Sequence, residues 1–191
     1  MGNSRAPYIF FVLLMLVFNG LILFTPYLAM QQDPVSDSLY AVFAPTCHQL
    51  TSRSLCLFED EQATLSISDC HKTSEFSGSR ANTVEYEEKT GYKFPVCSRD
   101  MAIYLAMLAG LLILPFVWKM DYDDWPNKWI LVAAAVPVGI DGGLQIIGFY
   151  ESTNFLRIIT GVIIGIVLPF YILPILNSLY LSIFGKKGKK R

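Results

Sequence analysis

The chain reads as an all-α integral membrane protein with four transmembrane helices and one long extracytoplasmic loop that contains an interfacial amphipathic segment. Three observations predict this. Of 191 residues, 53% are hydrophobic and 16% charged, whereas soluble domains carry roughly a quarter charged. The mean hydropathy is positive, at +0.42. The apolar residues gather into runs long enough to cross a hydrocarbon core about 30 Å thick at about 1.5 Å per residue.

The first span, about residues 8–30, is interrupted only by Asn19, Gly20 and Pro26. A cleaved signal peptide is the rival reading, because Arg5 precedes the run, but the apolar stretch is too long and no A-x-A-like site ends it. The start MGNSRA has Ala6 where an N-myristoylation pattern needs Ser or Thr. Residues 31–100 form the one large polar segment, with eleven of the sixteen acidic residues against six Lys and Arg. Its part 35–57 leans apolar, with Leu39, Val42, Phe43 and residues 48–50 at helical spacing, and predicts an amphipathic helix or re-entrant piece interrupted at Pro45. Its part 59–92, with scattered Ser, Thr and Gly, predicts a surface excursion able to hold a hairpin.

The second span covers about 101–120, and the turn 121–128, DYDDWPNK, forces an antiparallel return. The third covers about 129–150 and the fourth 155–184, the latter broken by Pro169 and Pro174. Trp118, Trp125 and Trp129 cluster around the turn, where an aromatic belt is expected. The whole chain, 1–191, is then a single membrane domain ending in a basic tail, 185–191. That tail directly follows the last span, so the positive-inside rule places both termini in the cytoplasm and the loop 31–100 outside.

Polar residues at membrane depth mark the candidate site. Asp141 and Gln145 lie within the third span and Arg157 opens the fourth. A carboxylate near the bilayer centre costs roughly 2.5 to 3.5 kcal/mol on insertion scales, so it persists where it meets a partner charge, a pocket or a protein interior. These three are the candidate catalytic residues, with an Asp141–Arg157 pair expected; a purely structural helix-pairing role weighs equally. Gln49, Arg99, Glu151, Ser152 and Asn154 complete a candidate ligand-binding set. Gly142, Gly143 and the pair Gly161 and Gly165 allow helices to approach closely.

All four cysteines fall between Cys47 and Cys97. On an outward loop they suit two disulfides, Cys47 with Cys97 and Cys56 with Cys70 being the favoured connectivity. Cys47, His48, Cys97 and Asp100 also offer donors for zinc or another divalent metal, although no C-x-x-C spacing supports it. His71 beside Cys70 repeats the Cys-His order. No phosphate-binding loop, Ser-His-Asp order or nucleic-acid-binding face is present in the sequence.

An ordered set of motifs completes the reading. Cys47-His48-Gln49 followed by Arg53-Ser54, then Pro95-x-Cys97-x-Arg99, then Asp141-Gly142 with Gln145, then Ser152-x-Asn154 with Arg157 and Thr160-Gly161, resembles the prokaryotic membrane proteins of domain-of-unknown-function family 2085. The likeness covers residues 44–165 apart from an insertion at 59–92, and it implies membrane residence without an activity. It differs at Asp100, where many members carry a second cysteine. Two functional expectations follow. One is a small polytopic membrane protein whose outward polar pocket binds a ligand, a metal or a lipid headgroup. The other is a non-catalytic accessory subunit of a larger membrane complex, docking its partner through the 59–92 excursion.

Overall fold

The computed structural model describes residues 5–47, 50–59, 64–70, 80–86 and 89–184. Helix α1 (Ala6–Met30) begins with Pro7 in its first turn, where a missing N–H costs nothing. Phe11, Met15, Asn19 and Ile22 recur every three to four residues and are its buried stripe. The opposite faces, including Phe10, Val17 and Phe24, are exposed, as lipid-facing positions are. Asn19 Nδ2 donates to its own-helix Met15 carbonyl at 2.8 Å and across to the Tyr104 carbonyl at 3.2 Å. Such an interhelical bond contributes about 0.6 kcal/mol in a membrane bundle. Past the helix end, Gln32 adopts φ 55° and turns the chain into α2 (Val35–Phe43).

Between α2 and the next span the structure departs from an all-α chain. Four strands, β1 (Leu55–Glu59), β2 (Leu65–Asp69), β3 (Thr83–Tyr86) and β4 (Lys89–Lys93), form an antiparallel sheet in the order β2-β1-β4-β3. The expected amphipathic helix over 35–57 therefore stops at Phe43. A 3₁₀ turn at Ala44–Thr46 containing Pro45 ends it, another spans Thr51–Arg53, and β1 follows. The physical reason for the missed sheet is legible in β1. It buries Cys56, Leu57 and Phe58 in succession, so it lacks the alternation that marks a half-buried strand. Gly91 on β4 lies under the Phe58 ring, where any Cβ would collide, and an aromatic covering a cross-strand glycine is a recognised sheet device. Cys56 and Cys70 are joined by a disulfide that ties β1 to the end of β2.

The sheet sits on the helices through one core of Ile22, Phe43, Leu57, Phe94, Val96 and Met101. Next come α3 (Ser98–Val117), α4 (Lys128–Ile146), α5 (Asn154–Val167) and α6 (Pro169–Phe184). Counting α5 and α6 as one continuous piece, four helices among the described residues are long and apolar enough to cross a membrane. Pro169 divides α5 from α6 because it has no N–H to continue the ladder.

Helices α3 and α5 approach through small residues on both sides. A Cβ added at Gly161 would lie 2.7 Å from the Arg99 carbonyl oxygen, and one at Gly165 would lie 2.6 Å from that of Ile103. One at Gly110 would lie 2.5 Å from that of Ile166. Gly142 meets only the tip of Arg99, and Gly143 meets nothing within 4 Å, so the close-packing expected of this second pair is not its role. At the other end of the bundle, Asn177 Nδ2 donates to the carbonyls of Met120 and Tyr122 at 3.2 and 2.7 Å, closing the 118–127 turn. Trp125 and Trp129 are exposed beside that turn.

Candidate functional site

Local backbone chemistry at the α4–α5 junction builds the site. Helix α4 ends at Ile146 rather than running on to Tyr150, because Gly148 takes φ 74° and closes a Schellman turn. The Phe149 N–H donates to the Leu144 carbonyl at 3.0 Å and the Gly148 N–H to that of Gln145 at 3.1 Å. The reversed chain brings the Tyr150 hydroxyl back to donate to Asp141 Oδ1. Ser152 Oγ donates to Asp141 Oδ2 at 3.0 Å. Thr153 then caps α5 by accepting from the Leu156 N–H at 3.3 Å. This sets Asn154, Arg157, Thr160, Gly161 and Gly165 on the buried face.

The buried Asp141 pairs with Arg99 of α3, whose Nη2 contacts Oδ2. The expected Asp141–Arg157 pair is thus corrected. Arg99 at the start of α3 reaches Asp141 on α4, and α5 presents Arg157 to Gln145 and Asn154 instead. With its amide oriented so that oxygen faces the guanidiniums, Gln145 accepts from Arg157 Nη2 at 2.8 Å and from Arg53 Nη2 and Nε at 2.9 and 3.2 Å. Arg157, 2% exposed, also donates to Asn154 Oδ1 at 3.3 Å.

Asn154 is a brace between layers. Its Oδ1 accepts from Ser98 Oγ at 2.8 Å, and its Nδ2 donates to the Ser54 carbonyl at 3.3 Å and to Asp69 Oδ1 at 2.9 Å. One side chain so links the start of α3, the start of α5 and the sheet. Ser152 is buried beneath Asp141, whereas Glu151 is exposed. None of Glu151, Ser152 and Asn154 lines the cavity described next. His48, Gln49 and His71 lie outside the described residues.

A cavity of about 320 Å³ opens at this end of the bundle. Its walls carry Arg53, Arg99 and Arg157 together with Gln145, and also Cys47, Cys97 and Asp100. Among the described residues Arg99 Nε is buried without a hydrogen-bond partner. The Cys97 thiol donates to Asp100 Oδ2 at 3.1 Å. A hydrogen bond with Cys47, burial and the Asp100 charge together push the Cys97 thiol well above the usual range. Cys47 and Cys97 are not joined by a disulfide, in contrast to the expected bridge. The Cys97 thiol is occupied by Asp100, and the two sulfurs and the carboxylate oxygen lie within 4.8 Å of one another as separate groups.

Arg53 and Tyr150 were not among the sequence candidates. Arg53 lies in the loop outside the spans, where a cation is unremarkable, and only the Arg53-Ser54 motif marked it. The signal for Tyr150 was Gly148, which places a turn inside an otherwise apolar run.

Fold and site together define a small polytopic membrane protein with an arginine-lined polar cavity at one end of its helices. The chain belongs to the family described as Predicted membrane protein (DUF2085), which matches residues 88–171. It is 34% identical over 174 residues to an uncharacterized protein of Methanocaldococcus jannaschii, covering 88% of this chain and 91% of that relative. A second uncharacterized protein, from Methanothermobacter thermautotrophicus, is 37% identical over 76 residues, covering 40% of this chain and 67% of the relative. No solved structure matches the chain.

Proposed function

We propose that this protein binds an anionic group, phosphate or carboxylate, in a pocket that faces the outside of the membrane. The observation that carries the reading is the convergence of Arg53, Arg99 and Arg157 on one cavity. Among the described residues only Arg99 is ion-paired, to Asp141; Arg53 and Arg157 share the neutral oxygen of Gln145. Guanidiniums so placed repel one another, and an anion bridging them removes the repulsion while adding charge-assisted, fork-shaped hydrogen bonds. Leu50 and Ile146 add apolar wall to the same cavity, so a lipid phosphate and a free anion share the required chemistry.

The test is thermal stabilisation of the full chain in mild detergent, with inorganic phosphate in one arm and phosphatidylglycerol in the other. Stabilisation by either probe supports the reading, and which arm responds names the source. The variant Arg53→Met with Arg157→Met is expected to weaken that binding by about tenfold or more, since a hydrogen bond to a charged group contributes about 1.5 to 3 kcal/mol. No response of the wild type to either probe, or an equal response of the double variant, overturns it and leaves the accessory-subunit reading ahead.

A further inference from the structure

The same cavity carries a second chemistry, and we infer that Cys47, Cys97 and Asp100 form a binding site for a thiophilic divalent cation of the zinc class. Cys97 is the residue just before α3 and Asp100 lies three positions on, so one helix start offers a sulfur and a carboxylate to the same point. Cys47 arrives from the end of the 3₁₀ turn at Ala44–Thr46 in an extended conformation. The two sulfurs and the oxygen lie within 4.8 Å of one another. A tetrahedral zinc with bonds of about 2.3 Å to sulfur holds its sulfurs about 3.8 Å apart, so closing onto a metal takes side-chain adjustment only.

Three features favour a metal over a bridge. A carboxylate directed at the Cys97 sulfur contributes nothing to a disulfide but supplies a third ligand to a metal. All three groups line the cavity, which gives an ion a way in and room for a fourth ligand. Two thiolates and a carboxylate around a divalent ion carry one net negative charge, which the nearby guanidiniums offset. Binding balances as one cation taken up and two thiol protons released to solvent; the Asp100 oxygen that accepts the Cys97 hydrogen becomes free to bind the metal. The ligands are not the arginines, so this site stands or falls apart from the anion reading.

The experiment uses the full-length chain in detergent, purified without chelator, loaded with zinc and dialysed. About one zinc per chain is expected, cobalt in its place should give thiolate-to-metal charge-transfer absorption, and zinc should slow alkylation of Cys47 and Cys97 by iodoacetamide. Cys47→Ser with Cys97→Ser should lose the zinc, and Asp100→Asn should weaken its binding by about tenfold or more. Zinc retained by the double serine variant overturns the site. So does wild-type protein whose two thiols alkylate equally fast with and without zinc, or which is isolated with Cys47 bonded to Cys97. The alkylation arm needs no variant, so a misfolded serine variant leaves the test intact.

Discussion

At the scale of single residues, the buried Asp141 is the clearest test of what holds the site together. Its carboxylate accepts from Arg99, Tyr150 and Ser152, so the start of α3 and the α4–α5 junction converge on one side chain of α4. Removing Asp141 alone leaves Arg99 with an uncompensated charge, a loss of about 3 to 5 kcal/mol for a buried pair, whereas replacing both partners with apolar groups can be nearly neutral. Asp141→Leu is therefore expected to lower the unfolding temperature in detergent strongly, and Asp141→Leu with Arg99→Met to recover most of it. Equal losses in the single and double variants would show that the pair is not coupled. A second residue carries a pH signature. The amine of Lys93, fully buried and donating to the Arg80 carbonyl at 3.2 Å, is pushed down by burial to about 8 from the usual 10.5. Between those values the unfolded chain holds the proton that the folded chain has lost, so stability rises with pH across that window, by at most about 3 kcal/mol. Lys93→Met should abolish the rise; a wild-type stability that falls between pH 8 and 10 would contradict it.

At the scale of elements, the α3–α5 contact decides whether the site exists. Arg99 and Ser98 open α3, Asn154 and Arg157 open α5, and the glycines below them let the two backbones come close. Gly165→Val is expected to cost about 1 to 3 kcal/mol through overpacking. It should also weaken anion binding without touching any cavity residue, measured by the same phosphate and lipid titrations. Unchanged binding and stability would mean that the helices separate freely. The glycines, the four spans and the polar residues Asp141, Gln145 and Arg157 were legible in the sequence because membrane helices carry long apolar runs in which any exception stands out. The partner of Asp141 was not, since Arg99 and Arg157 are equally charged and only the direction of the helix faces separates them. The sheet was legible only in part: a hairpin was expected within 59–92, and β3 pairs with β4 antiparallel, Thr83 opposite Tyr92 and Tyr86 opposite Lys89. The pairing of β4 with β1 was not legible, since it joins strands more than thirty residues apart, which no local pattern records.

At the scale of the whole molecule, the elements that build the cavity lie together: the start of α3, the end of α4 and the start of α5. Because successive spans run in opposite directions, the 118–127 turn and the end of α6 belong to the opposite side. The five basic residues among 186–191 follow α6 directly in the sequence, and basic residues within about 15 to 20 positions of a span favour the cytoplasmic side. The disulfide argues independently for the same orientation, since the Cys56–Cys70 bond belongs to the sheet on the cavity side and disulfides persist where the medium is oxidising. A membrane-impermeant thiol reagent applied to intact cells is therefore expected to label Ser66→Cys, on the exposed strand β2, and not Asp124→Cys, in the exposed turn, each compared with the unsubstituted chain. Labelling of Asp124→Cys alone would invert the molecule. The disulfide would then face a reducing compartment and the arginine-lined cavity would open to cytoplasmic anions rather than to those outside the cell.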